Sequence, residues 1–260
     1  MFDLSTLIYT NEEILARRKE AALRLTSDSP NIKSLSINRM SSSDLKLLFD
    51  LYDEIFFEQQ FAKEYKGRIN FSLSTRLIKA AGKTLSPKNI IQLKPENLAL
   101  EIRIGTYFFF KYDEIESEKS VAGIVTSSAL EALQLVFEHE LCHVIELIMF
   151  KTSNCSRERF KTLARNLFGH TESTHQLPTP RHIAQQKYGF KIGHRVSFYF
   201  DNRRLEGILY RINKRATVMV QDDKGDHIDK QGNRYIKYFV PINCLELCDQ
   251  TYGGFIGDSG

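Results

Sequence analysis

Apolar residues recur at three- and four-residue steps through Leu45, Leu48, Phe49, Leu51, Tyr52 and Phe56, the spacing of one face of a helix. Ser41 to Ser43 offer hydroxyls that can satisfy free backbone donors at its start. The pattern then changes. Arg68 to Leu77 (RINFSLSTRL) reads as a strand, and Ala80-Ala81-Gly82-Lys83 as a turn. Leu98 to Phe110 alternates early and becomes wholly apolar late, as a second strand region would. A dominant helix is predicted from Ser127 or Ser128, because Ser128 and Glu131 have the S-x-x-E spacing of a capping box. Its stripe runs through Leu130, Leu133, Phe137, Leu141, Ile145 and Ile148. A further helix is predicted from about Arg157 to Phe168, with Gly169 as its stop signal.

Leu177-Pro178-Thr179-Pro180 reads as the entry to a linker, since paired prolines do not continue a helix. From Phe190 the period becomes two. Arg195 to Phe200, Leu205 to Ile212, Ala216 to Gln221 and Tyr235 to Val240 are short strand candidates, with Asp201-Asn202, Asn213-Lys214, Asp223-Lys224-Gly225 and Gln231-Gly232-Asn233 as turns. Closely spaced short strands of this kind predict a small all-β, SH3-like barrel. The expected class is therefore α+β. The expected divisions are a helical N-terminal extension (1–40), a mixed domain (41–180), a linker (181–189), the barrel (190–247) and a flexible tail (248–260).

Hydrophobic residues make up 42% of the 260, enough for a core in each part. No apolar run reaches the length of a membrane span, and the start of the chain lacks the layout of a secretory signal, so a cytoplasmic protein with no membrane partner is expected. Cys142, Cys155, Cys244 and Cys248 are too sparse for a disulfide framework and read as free thiols. The net charge of +4 is unevenly spread: Phe190 to Leu245 holds 11 Lys/Arg against 6 Asp/Glu. That basic segment also carries Tyr199, Phe200, Tyr210, Tyr235, Tyr238 and Phe239. Bases beside aromatics can neutralise phosphates and stack on nucleobases, making DNA a candidate partner. The simpler alternative is that the aromatics fill the barrel core.

His139-Glu140-Leu141-Cys142-His143 is H-E-x-x-H. Residues four apart share one helix face, so both imidazoles can reach one zinc ion. Glu140 then lies beside the metal, able to take a proton from a water whose pKa zinc lowers. A catalytic zinc needs a third protein ligand. Glu146, Cys155, Glu158, His170, Glu172 and His175 are candidates. The main helix leaves the metal by about 10 Å and a returning helix covers about 18 Å, which brings His170 back to metal level. His170 is the favoured third ligand on this ground, with Glu172 or His175, and the Cys155–Glu158 region, kept as alternatives.

These residues resemble the SprT-like zinc metallopeptidases, a family that includes proteases acting on DNA–protein crosslinks. The likeness runs from about Ser41 to His175. It rests on Leu51-Tyr52-Asp53-Glu54-Ile55-Phe56-Phe57, Ala81-Gly82, the HELCH helix, and Arg159-Phe160-Lys161 opening the next helix. The resemblance implies a zincin-like domain and a zinc-dependent endopeptidase acting on protein substrates, DNA-bound or crosslinked ones among them. Glu140 would be its catalytic base, with His139 and His143 as metal ligands. In one respect the chain departs from the family, where a third His commonly precedes the second helix as H-G-x-x-F. Here Cys155-Ser156-Arg157-Glu158-Arg159 precedes Phe160. The competing reading is a zinc-stabilised scaffold that binds nucleic acid or protein and cleaves nothing.

Overall fold

The chain divides after Leu177 into two units, Met1–Leu177 and Pro178–Gly260. The computed structural model describes residues 2–248. It is mixed α+β. The first unit contains α1 (Asn11–Asp28), α2 (Ser42–Phe57), α3 (Gln60–Glu64), β1 (Arg68–Ser74), β2 (Gly82–Leu85), β3 (Ala99–Gly105), α4 (Thr106–Phe110), β4 (Lys119–Val121), β5 (Ile124–Thr126), α5 (Ala129–Phe150) and α6 (Glu158–Phe168). One sheet has the order β1-β3-β2, with β1 parallel and β2 antiparallel to β3. Leu100, Ile102 and Ile104 of β3 are fully buried and alternate with half-buried neighbours, the period-two pattern of a strand.

The long helix α5 starts where expected, with half of the capping box formed: the Ser128 hydroxyl accepts the Glu131 N–H at 3.2 Å, while Glu131 Oε2 accepts the Ser127 N–H at 2.8 Å. It is buried on nearly every side, as a helix apolar all round must be. Around it lies an aromatic cluster. Tyr52 stacks on Phe56 at 4.8 Å, and Phe168 of α6 meets Phe56 at 5.3 Å. Each such ring removes enough apolar surface from water to stabilise by roughly 1.5–3 kcal/mol.

Several expectations are corrected. The N-terminal helix is not an extension. Ile14, Arg18, Ala21 and Leu25 of α1 form one buried face at three- and four-residue spacing, and Ala21 and Leu25 belong to the main core. Ala80 to Lys83 is not simply a turn, because Gly82 opens β2 opposite Ile104. The region to Phe110 is not all strand. The β1 ladder ends at the pair Ser74–Gly105, so beyond Gly105 the backbone has no partner strand and coils into α4, burying Phe108 and Phe109.

In the second unit, the expected linker 181–189 is a helix, α7 (Pro180–Tyr188). Pro180 starts it rather than ending one, because a proline in the first turn has no N–H to lose. The Thr179 hydroxyl caps it by accepting the His182 N–H at 3.2 Å, and Gly189 closes it with φ +71°. There follow β6 (Arg195–Phe200), β7 (Arg203–Ile212), β8 (Ala216–Gln221), β9 (His227–Ile228), β10 (Arg234–Val240) and β11 (Glu246–Leu247). They form an antiparallel sheet of order β11-β6-β7-β8-β10-β9. Asp201 and Asn202 turn β6 into β7 with positive φ at both positions, as a tight hairpin requires. Ala184, Phe190, Val196, Phe198, Leu209, Val218 and Val240 make this unit's own core. The expected tail, 248–260, lies outside the described residues apart from Cys248. Among the described residues no helix is long and apolar enough to cross a membrane.

Because α7 contributes Ala184 to the second core, a cut at Leu177 should release an intact first unit that melts cooperatively. A fragment ending at Gly189 should carry α7 stripped of its packing and be more protease-sensitive at its end. Limited proteolysis of the two fragments checks this; early cleavage throughout the 1–177 fragment would contradict it.

Candidate metal centre

His139 and His143 lie one turn apart on α5, with ring centroids 4.9 Å apart. Phe160, early in α6, packs against both, at 4.9 Å and 4.5 Å. Between α5 and α6 the chain turns at Lys151, in the left-handed region with φ +58°, and returns alongside the helix. This brings Cys155 to the two histidines. Ligand atoms of His139, His143 and Cys155 all lie within 4.8 Å of one another. Burial, with His143 adding to it, holds His139 well below the usual imidazole range; burial does the same to His143, against an opposing pull from Glu146. Both rings are thus neutral near pH 7, with lone pairs free to bind. Two neutral imidazoles and a thiol form the nitrogen-and-sulfur donor set that zinc accepts.

Glu140 is 4% exposed. Its neighbour across the cleft is the start of β2. The Thr84 hydroxyl lies 2.7 Å from Glu140 Oε2 and 3.1 Å from the Glu140 carbonyl oxygen. Gly82 allows that approach, since a Cβ there would meet Glu140 Oε1 at 2.6 Å and Cγ at 2.7 Å. Burial pushes the Glu140 carboxyl up to about 7, although Thr84 pulls the other way. Glu140, His139 and His143 open onto a cleft of about 300 Å³ bordered by β2 and Ser153. A smaller hollow of about 100 Å³ shares Gly82, His139 and Glu140 with it and extends to His175.

His170 is placed elsewhere. Its Nε2 lies 2.9 Å from Glu138 Oε2, and its side chain is almost fully buried. Glu138 also accepts both Arg18 Nε at 2.8 Å and Nη2 at 2.7 Å, and the Tyr52 hydroxyl at 2.7 Å. Burial alone would raise Glu138, but Arg18 and His170 hold it below its ordinary value. In place of the expected His170, the side chain whose ligand atom clusters with His139 and His143 is Cys155. The His170 ring lies near enough to His139 to add, after burial and His143, to the lowering of its pKa, and its buried Nδ1 has no hydrogen-bond partner among the described residues, but its nitrogens are not among the ligand atoms that cluster with His139 and His143. A hollow of about 440 Å³ is lined by His170 but by none of His139, Glu140 or His143. Of the alternatives, Cys155 joins the histidines. Glu158 and Glu172 are exposed, and His175 Nε2 accepts the Ala81 N–H at 3.2 Å. Glu146 does not join them either. It accepts Ser153 Oγ–H at 2.6 Å and Arg159 Nε–H at 2.6 Å. Thr84 and Gly82 carry no signal in the sequence beyond the Ala81-Gly82 pair.

No family model, curated protein or solved structure matches this chain.

A carboxyl at about 7 in the fold against 4.5 ordinarily keeps a proton that the unfolded chain has released. In metal-stripped protein this contributes a fall in stability as pH rises from 4.5 to about 7, opposed by the rise that the depressed His139 and His143 contribute up to about 6.5. The Glu140 contribution is at most about 3 kcal/mol. Glu140→Gln should abolish that fall and be the more stable protein at pH 8. Chemical denaturation at pH 5 and pH 8 checks it; equal pH dependence of variant and native chain would contradict it.

Proposed function

We propose that this chain is a zinc-dependent endopeptidase of the SprT-like, zincin-like kind, with His139, His143 and Cys155 as metal ligands and Glu140 as the base. The observation that carries the reading is a contrast along α5. Glu138 and Glu146, both fully buried, are each matched by an arginine, Arg18 and Arg159. Glu140, nearly as buried, is matched only by the neutral hydroxyl of Thr84 among the described hydrogen bonds and ion pairs. A buried carboxylate without a counter-charge is costly. It is retained where a positive centre or a proton in transit gives it work. Cys155 supports the same reading, since it stands just before α6, where the resemblance puts a third ligand.

Zinc bound there supplies a Lewis acid that polarises a carbonyl and acidifies water. The chain's own part is proton handling and exclusion of solvent. Glu140 takes a proton at its carboxylate and can return it to the leaving amide nitrogen. Thr84 fixes the direction in which Oε2 points. Phe160 shields the two imidazoles and keeps the ligand face dry. The four cysteines are free, so Cys155 is not held in a disulfide and is open to a metal. A scaffold without proteolysis would have no use for an unmatched Glu140.

A second element concerns the SH3-like unit. Tyr199, Phe200 and Phe239 are 69%, 49% and 64% exposed, so these three do not fill the core. Tyr199 pairs with Arg204 and Phe200 with Arg203 across β6 and β7. Exposed rings beside guanidinium groups suit a stacked, phosphate-bearing partner, and DNA is our proposal. Arg203→Glu with Arg204→Glu should weaken binding to single- and double-stranded oligonucleotides, and native binding should drop steeply between low and physiological salt. Salt-insensitive binding, or none, would remove DNA and leave the peptidase.

The peptidase reading is tested by metal content and proteolysis together. Protein purified without added metal should carry about one zinc per chain. Cys155→Ala should lose most of it, whereas His170→Ala should keep zinc and lose stability instead. Glu140→Gln should keep zinc yet cleave casein at least about 100-fold more slowly. Undiminished cleavage by Glu140→Gln would contradict the proposed base, and zinc that depends on His170 and not Cys155 would contradict the ligand set.

A further inference from the structure

Glu146 is fully buried and sits three residues beyond His143 on α5. Its two oxygens are divided. Oε1 accepts Arg159 Nε–H at 2.6 Å. Oε2 accepts the Ser153 hydroxyl at 2.6 Å and the Asn154 N–H at 3.2 Å. Ser153 Oγ in turn lies 2.7 Å from His143 Nδ1. A hydroxyl has a single proton, and an ionised carboxylate can only accept. The serine proton therefore points to Glu146, and Oγ must accept from His143. His143 then carries its proton on Nδ1, which leaves the lone pair on Nε2. The tautomer of the ring is decided by a carboxylate it does not touch.

The same carboxylate reaches the cysteine. Its hydrogen bond to the Asn154 N–H holds the residue immediately before Cys155. Arg159, paired with Glu146, also donates from Nη2 to the Thr152 carbonyl at 2.9 Å, while its guanidinium lies over the Phe150 ring at 4.1 Å. These contacts clasp residues 152–154 against the end of α5. They offset the left-handed turn at Lys151, a conformation that costs a non-glycine residue of order 1 kcal/mol.

We propose that Glu146 is a positioning residue for the metal centre. Through Ser153 it fixes His143 as the Nδ1–H tautomer, and through Asn154 and Arg159 it holds Cys155 in reach, so the site is formed before a metal arrives. This rests on the ligand set His139, His143 and Cys155. Metal-bound histidines elsewhere are commonly oriented by an outer carboxylate, and losing it typically weakens metal binding 10- to 100-fold. Here a serine stands between ring and carboxylate, which allows the relay to be cut without touching either charge.

The test uses the full-length chain and measures zinc affinity by competition with a chromophoric chelator. Ser153→Ala should bind zinc about 10- to 100-fold more weakly, while the metal-free protein still melts cooperatively at a temperature lowered only modestly by the hydrogen bond lost to Glu146. Ser153→Thr, which keeps the hydroxyl, should restore most of the loss. Glu146→Gln should weaken zinc similarly if it folds; if it does not, the serine pair still decides. A Ser153→Ala protein that holds zinc as tightly as the native chain would overturn the relay. So would a Ser153→Thr protein no better than Ser153→Ala, since that would mean packing rather than the hydrogen bond matters. A native chain that binds no zinc removes the metal reading itself, a result distinct from either.

Discussion

An ionised carboxylate taken out of water costs several kcal/mol unless it is paired and hydrogen-bonded. The first unit carries Glu138, Glu140 and Glu146 on α5, each no more than 4% exposed. Much of the architecture around α5 satisfies that constraint. Glu138 draws Arg18 from α1, Tyr52 from α2 and His170 from beyond α6 to one point, across sequence separations of 120, 86 and 32 residues. Breaking such a buried pair from one side costs about 3–5 kcal/mol. That is why α1 belongs to this unit rather than preceding it. Gln134 adds a second tie, donating to the Arg18 carbonyl at 2.8 Å.

The helix thus has a structural side and a chemical side, set by single-residue steps. Glu138 faces the arginine network, and His139 and Glu140 face the cleft. Neighbours in sequence are consequently held in opposed electrostatic states. Glu138 is kept below its ordinary pKa by Arg18, while Glu140 is kept above its own by burial against a neutral partner. Gly82 belongs to this balance, because it brings the Thr84 end of β2 close enough for one hydroxyl to aim the Glu140 carboxylate.

The H-E-x-x-H spacing, the Ser128 cap and the Gly169 stop were legible because each is a local rule acting over one turn of helix. The strands of the second unit were legible for the same reason, from period-two pattern and turn residues. What failed was long-range. The reach of α6 allowed His170 to return to metal level, but distance says nothing about which group on α5 it meets, and its Nε2 meets Glu138. Cys155 was a candidate whose approach depends on the Lys151 turn and the Glu146 clasp, neither of which has a sequence signature. Two misses could have been avoided. Thr10 and Glu13 spell the capping box that starts α1, and both of its hydrogen bonds form. Pro180 after Thr179 is a helix start, not only a break.

The central claim is that two imidazoles of α5 and the thiolate of Cys155 share one zinc ion. The most direct measurement is zinc X-ray absorption on the protein as purified. The account expects two nitrogen scatterers at about 2.0–2.1 Å and one sulfur at about 2.3 Å, with an oxygen completing the shell. A zinc with three nitrogens and no sulfur would contradict it.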